Sequence, residues 1–76
     1  MLTAEQSRAA RGWLGLTQGE LAERASVGLS TVRDLETGRR VISEEKLRSI
    51  RSSLEAAGVR FTYRADGLPQ GIEVAS

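Results

Sequence analysis

Residues 17–38 read TQGELAERASVGLSTVRDLETG, and this stretch carries the signals of two short helices joined by a tight turn. It begins with Thr17, which is followed three residues later by Glu20. This spacing is a capping box, in which the hydroxyl and the carboxylate each accept a backbone N–H at the start of a helix. We expect that helix to span Gln18 to about Ala25, and the next three residues, Ser-Val-Gly, to form the turn.

A second helix within this stretch is predicted from Leu29 to Thr37. It should end at Gly38, because glycine lacks a Cβ and readily takes the left-handed conformation that follows many helices. Helical spacing predicts an apolar contact between the two helices through Leu21, Ala22, Val32 and Leu35. The small side chain of Ala22 allows the helices to approach closely, so we expect them to cross at this contact.

The same stretch resembles the helix-turn-helix of the Cro and lambda-repressor (XRE) family. That family's pattern is T/S-Q-x-x-L-A, a short turn, a second helix with a β-branched core residue, and then E-x-G. The matching positions are Thr17, Gln18, Leu21, Ala22, Val27, Val32, Leu35, Glu36 and Gly38, and the wider resemblance runs from about Arg8 to Ala57. Two positions depart from the pattern. Ser26 stands where the family usually has glycine in the turn, which strains the turn slightly, and Gly28 replaces the usual Ser or Thr cap, which weakens capping by roughly a few tenths of a kcal/mol.

The resemblance implies a mainly α fold, a four-helix lambda-repressor-like helix-turn-helix domain with a short C-terminal β-strand or hairpin. It also implies a function. A protein of this family is expected to be a sequence-specific transcriptional regulator of double-stranded DNA. We expect a repressor that binds a palindromic operator as a homodimer, with helix 29–37 in the major groove.

The candidate base contacts lie on the side of helix 29–37 that faces away from the apolar contact. In a major groove, Arg33 can donate to guanine O6 and N7, Ser30 can donate or accept, and Leu29 can touch a thymine methyl. The alternatives are an ion pair with Asp34 or Glu36 for Arg33, and ordinary core for Leu29. As a further base-contact candidate, Asp34 can accept from cytosine N4, repel phosphate in wrong registers or pair with a neighbouring Arg, and we favour the pairing.

By the same resemblance, the residues expected to contact DNA phosphates are Thr17, Gln18, Thr37, Arg39 and Arg40. Gln18 lies in the first turn of its helix, whose positive amino end favours a phosphate. An exposed Gln18 without a ligand is the alternative. For Arg39 and Arg40, the alternative is a pair of solvated loop residues.

The resemblance also implies a structural ion pair. Arg11 and Glu36 match positions that form a partly buried pair in members of the family, linking the first helix to the end of helix 29–37. Two unconnected surface charges are the alternative.

Helices are also predicted on both sides of residues 17–38. Thr3 followed by Gln6 is another capping box, so a first helix should run from about Ala4 to Leu14. Ser43 and two following glutamates suit the positive end of a fourth helix. Its apolar residues, at helical spacing, are Leu47, Ile50, Leu54 and Ala57. Residues 1–58 are therefore predicted to form the DNA-binding domain.

Residues 59–76 form a C-terminal extension in which the apolar period changes to two, as in a half-buried strand. Asp-Gly at 66–67 starts a turn, so we expect a short hairpin or a strand that pairs with another subunit. The candidate dimer contacts are Val59, Phe61, Tyr63, Ile72 and Val74. A hairpin that caps its own chain, with the fourth helix making the dimer contact, is the alternative. Trp13 either packs beneath the strand or faces a partner.

Composition limits the other possibilities. A chain of 76 residues is expected to form one core, and Leu, Val, Ile and Phe make up 18 of them, enough for folding. Without Cys or His we expect no disulfide, no His-based catalysis and no metal. We expect no cofactor either, and a core this small is not expected to build an enzyme's pocket. The net charge is only +1, but ten of the eleven cations are Arg, which suits bidentate recognition of phosphate or guanine. No apolar run could span a membrane and no signal peptide is evident, so we expect a cytoplasmic protein that associates with the nucleoid.

A second functional hypothesis comes from a different class of protein. The chain could be an antitoxin-type interaction module whose C-terminal strands bind a partner protein, with DNA binding secondary. A stoichiometric protein partner would distinguish this hypothesis from the first.

Overall fold

The fold consists of four helices followed by a two-stranded antiparallel hairpin, as described for residues 2–74 in a computed structural model. The elements are α1 (Ala4–Leu14), α2 (Gln18–Ala25), α3 (Leu29–Thr37), α4 (Glu44–Ala56), β1 (Val59–Tyr63) and β2 (Pro69–Val74). This architecture confirms the predicted mainly α class with a C-terminal hairpin. Residue 1 of the predicted domain and residues 75 and 76 of the predicted extension lie outside the described residues.

The helices begin where the local cap signals predicted. Thr3 with Gln6 and Thr17 with Glu20 both form complete capping boxes, because each hydroxyl accepts the N3 backbone N–H and each N3 side chain accepts the cap N–H. Ser43 Oγ accepts the backbone N–H of the third residue of α4 at 3.4 Å. These bonds satisfy amide groups that would otherwise lack a partner at each helix start.

The turn between α2 and α3 shows the two departures from the family pattern. Ser26 caps α2 in the left-handed conformation, with φ of 56°, where a residue with a Cβ is strained. Gly28 precedes α3 and supplies no side-chain hydrogen bond to its amino end. The turn therefore forms despite both substitutions, and its stability depends on the packing of the helices on either side.

The core lies among the four helices and one face of the hairpin. Its fully buried large apolar side chains are Leu21, Val32, Ile50 and Leu54. Helix α2 packs against both α3 and α4, and α1 packs against α3. Thus α3 is held from behind by two other helices. None of the four helices described between residues 2 and 74 combines the length and apolarity needed to cross a membrane.

The hairpin pairs within the chain and packs on the helices. Val59 lies opposite Val74, and Phe61 lies opposite Ile72. Strand β1 packs on α4 and β2 packs on α1, while the side-chain amide of Gln6 donates to the carbonyl of Gly71 at 3.3 Å. The hairpin therefore closes one end of the helical core.

This packing corrects part of the predicted dimer surface. Val59 and Phe61 are only 3% and 5% exposed, because both side chains pack into this chain's own core. Neither side chain is free to contact a partner. Tyr63 and Ile72 are partly buried against the same core, and Val74 is exposed.

Trp13 lies on the outside of the molecule. Its side chain is 66% exposed on α1, so it does not pack beneath the strand.

Candidate nucleic-acid interface

Helix α3 has one buried side and one exposed side. Its buried residues are Thr31, Val32, Leu35 and Glu36. Leu29, Ser30, Arg33 and Thr37 lie on the exposed side. A helix with its side chains is about 10–12 Å across, which fits the roughly 12 Å width of the DNA major groove. Because other helices hold the buried side, the exposed side has a defined orientation.

The candidate base contacts at the exposed side are accessible. Leu29 is 38% exposed, so it is not ordinary core. Within residues 2–74, Arg33 makes no ion pair with an acidic side chain, and its guanidinium donors are not committed to Asp34 or Glu36. The hydroxyl of Thr37 donates to the backbone carbonyl of Arg33 at 2.8 Å, so this hydroxyl hydrogen is used within the helix.

Asp34 is paired with an arginine, as its favoured interpretation expected. Arg40 Nη2 lies 3.1 Å from Asp34 Oδ2. The Asp34 side chain is 18% exposed and the Arg40 side chain 59% exposed. Both Arg39 and Arg40 are exposed, and Arg40 contacts α3 through Asp34.

The start of α2 adjoins the end of α3. Thr17 Oγ1 accepts the backbone N–H of Glu20 at 3.0 Å, and hydrogen bonds from the backbone and side chain of Thr17 lower the pKa of the exposed Glu20 carboxyl. The Gln18 side-chain amide donates to Glu36 Oε1 at 3.1 Å. This amide has a second N–H, which is available to another acceptor. The bond between Gln18 and Glu36 places Gln18, and with it Thr17 at the N-cap of α2, beside the last turn of α3.

Glu36 is the centre of a buried hydrogen-bond network. Only 4% of the residue is exposed, and its carboxylate accepts from three side chains of two helices. Arg11 donates from Nη2 to Oε1 at 2.9 Å and from Nε to Oε2 at 3.2 Å, which is a bidentate pair. Ser7 Oγ donates to Oε2 at 2.7 Å, and the Gln18 amide completes the set. The structure thus brings together the two residues of the implied ion pair.

The electrostatics of this network favour the charged forms of both partners. Burial tends to raise the pKa of the Glu36 carboxyl, but hydrogen bonds from Arg11, Ser7 and Gln18 outweigh it and lower that pKa. The hydrogen bond to Glu36 raises the pKa of Arg11. Glu36 is therefore ionised at neutral pH, and its charge is balanced inside the fold.

Two members of this network were not predicted from the sequence. Ser7 is fully buried, and Arg8 donates from Nη1 to the backbone carbonyl of Glu36, near the carboxyl end of α3. Ser7 shares a helix face with Ala10 and Arg11, so a small hydroxyl on a core face of α1 was the available signal. No comparable signal indicated the bond from Arg8.

The candidate interface comprises the exposed side of α3, the start of α2 and the loop after α3. Its residues are Thr17, Gln18, Leu29, Ser30, Arg33, Asp34, Thr37, Arg39 and Arg40. Among these residues the cations are Arg33, Arg39 and Arg40, and the single acid, Asp34, is neutralised by its ion pair. The surface therefore combines hydrogen-bond donors with a net positive charge, as a polyanion requires.

Comparison with known protein families agrees with this geometry. The helix-turn-helix family model matches residues 8–55, which is 48 of the 76 residues. The matched region runs from the middle of α1 to near the end of α4, and so contains the whole candidate interface. A search of curated proteins finds none that matches the sequence.

Proposed function

Because the chain belongs to the XRE family of helix-turn-helix DNA-binding regulators, we propose that it is a repressor that binds a palindromic operator as a homodimer. The observation that carries this proposal is the division of α3 into a buried side and an accessible side. The buried side fixes the helix on the domain. The accessible side presents donors and an apolar group to the major groove.

In the proposed complex, the exposed side of α3 reads the bases. Arg33, which has no ion-pair partner among residues 2–74, donates to guanine O6 and N7. Ser30 hydrogen-bonds an adjacent base edge, and Leu29 touches a thymine methyl at the exposed amino end of α3. Discrimination between sequences then depends mainly on Arg33, because a bidentate contact is specific for one base pair.

Anchoring on the DNA backbone comes from residues around α3. Gln18 donates its second amide N–H to a phosphate while its first holds Glu36, so the buried network orients the phosphate contact. Thr17 stands beside it at the amino end of α2, where the helix dipole favours an anion. Arg39 and Arg40 provide the contacts on the other side, and Thr37 can join them only if its hydroxyl hydrogen leaves the carbonyl of Arg33. These contacts set the register of the protein but carry no sequence information.

Selection of bound duplexes from a random DNA pool tests the function. We expect enrichment of a sequence with two symmetric half-sites, bound with an affinity that falls steeply with salt. Failure to enrich any sequence would contradict specific binding. A single half-site without symmetry would contradict the palindromic operator while leaving DNA binding intact.

The size of the protomer is compatible with a dimer on DNA. Its longest extent is 32 Å, and two recognition helices must lie about 34 Å apart to enter successive major grooves. Removing the hairpin is unsuitable as a test, because Val59 and Phe61 belong to the core. Sedimentation of the Val74→Ser variant instead tests whether the exposed end of β2 contributes to the dimer. A Val41→Ser variant is its control, since Val41 is 95% exposed in the loop before α4.

A protein partner is the second candidate, and the exposure of Trp13 favours it. Tryptophans are enriched at the centres of protein interfaces, and Trp13 is 66% exposed on α1. In an antitoxin-type module, a partner would cover this residue. Leu68 of the hairpin turn, which is 54% exposed, is another exposed apolar side chain. A Trp13→Ala variant that loses a stoichiometric partner but keeps its DNA affinity would favour this candidate.

A further inference from the structure

Asp34 stands at an unexpected place for an acidic residue. It follows Ser30 by four positions, so both side chains belong to one row of α3. A carboxylate in this row approaches the phosphates of any DNA that α3 enters. Its charge would oppose binding if it had no partner.

Arg40 reaches Asp34 from the loop that follows α3. The chain reverses at Gly38, where φ is 70°, and the backbone N–H of Arg39 donates to the carbonyl of Asp34 at 3.2 Å. This turn brings Arg40 Nη2 to 3.1 Å from Asp34 Oδ2. The guanidinium therefore contacts α3 at Asp34 while the side chain stays largely exposed.

The pair leaves most of the arginine available. A guanidinium has five N–H donors, and the ion pair with Asp34 is a single contact of Nη2. The Arg40 side chain is 59% exposed, whereas the Asp34 side chain is 18% exposed. The acid thus lies on the protein side of the pair and the arginine on the solvent side.

We propose that Asp34 is a positioning residue that holds Arg40 at the edge of α3 for contact with a DNA phosphate. In turn, Arg40 neutralises Asp34, so that the acid does not repel the DNA. This inference rests on the proposed function and assigns Asp34 a role in affinity without a base contact. It places Arg40 beside α3 and leaves Arg39 as a separate contact of the loop.

The proposal predicts that Asp34→Asn weakens DNA binding when Arg40 is present and strengthens it when Arg40 is absent. In the otherwise unchanged protein, Asp34→Asn releases Arg40 and should weaken DNA binding about threefold, because an exposed ion pair contributes little more. Arg40→Ala should weaken binding about tenfold and reduce the salt slope by about 0.9, the value for one phosphate. In the Arg40→Ala protein, Asp34→Asn should strengthen binding about threefold, because it removes an uncompensated carboxylate.

The experiment measures the affinity of the full chain for a 20-base-pair duplex from the random-pool selection, over a series of salt concentrations. It compares the unchanged protein, the two single variants and the double variant. A matched cycle uses Arg60→Ala and Glu73→Gln, which break an exposed ion pair of the hairpin and make the same changes of charge. Thermal unfolding of each variant checks that the fold is retained.

A sign reversal in the cycle of Asp34 and Arg40, with none in the cycle of Arg60 and Glu73, is the expected result. The same effect of Asp34→Asn in both backgrounds would overturn the inference. So would loss of preference at one base pair whether or not Arg40 is present, since Asp34 would then read a base. If the unchanged protein shows no salt-dependent affinity for any duplex, the proposed function itself fails.

Discussion

The network around Glu36 yields the most direct prediction for stability. Glu36→Gln keeps the size of the side chain but removes its charge and turns an amide N–H₂ toward donors from Arg11, Ser7 and Gln18. Breaking a buried ion pair costs about 3–5 kcal/mol, because one charge is left without its partner. The Arg11 side chain is 22% exposed, so water reaches part of the guanidinium. We therefore expect a loss near the lower limit, about 3 kcal/mol.

This loss is large for so small a domain. A chain of this length has a free energy of unfolding of about 4–11 kcal/mol, and each kcal/mol lowers Tm by about 4–8 °C. The expected decrease in Tm is therefore about 12–24 °C. Urea and thermal unfolding followed by far-ultraviolet circular dichroism measure the change. Fluorescence of Trp13 is a poor probe, because this side chain is already 66% exposed in the folded protein.

The control for this variant is Glu55→Gln on α4. It makes the same chemical change at an exposed ion pair, in which Arg51 Nε lies 3.2 Å from Glu55 Oε2. Pairs of this kind contribute about 0.2–0.5 kcal/mol. If Glu36→Gln lowers the free energy of unfolding no more than Glu55→Gln does, the buried network does not stabilise the fold.

Three further predictions concern acid stability, DNA recognition and the turn. The pKa of the Glu36 carboxyl is lower in the folded protein than in the unfolded chain, where it is about 4.3. Ionised Glu36 therefore stabilises the fold fully above that unfolded pKa, and this contribution is lost as the pH falls through the lower folded pKa. Acid titration of the free energy of unfolding should show this loss, and the Glu36→Gln variant should show a shallower one. Arg33→Ala should lose about 1–3 kcal/mol of discrimination at one base pair, whereas Gln18→Ala should weaken binding to all DNA sequences alike. An Arg33 variant with unchanged preference for selected over scrambled DNA would refute the assignment of Arg33 as a base contact. Ser26→Gly should stabilise the fold by about 0.5–1 kcal/mol, because Ser26 has a positive φ that strains a residue with a Cβ. Ser52→Gly within α4 should destabilise the fold by about as much, because glycine is unfavourable inside a helix. Equal effects of the two changes in urea unfolding would show that Ser26 is not strained.

The order and limits of the helices could be predicted because their signals are local. The capping boxes at Thr3 and Thr17 join residues only three positions apart, so their geometry needs no information from the rest of the chain. Gly38 ends α3 for a similar reason, through its own backbone conformation. The alternation in β1 likewise identified Val59 and Phe61 as one apolar face.

The tertiary structure decided what each of these faces and charges meets. The apolar face of a strand can pack equally well against a partner subunit or against the chain's own core. Only the packing of β1 on α4 showed that Val59 and Phe61 belong to the core.

Local signals in the sequence therefore predicted where the helices lie, and the apolar spacing along α3 predicted which side of that helix is buried. The folded chain was needed to show which donors surround Glu36 and that Arg40, of the two adjacent arginines, contacts Asp34. The physical reason is that long charged side chains reach several partners. The choice among them depends on distances and burial that arise only when residues far apart in the chain pack together.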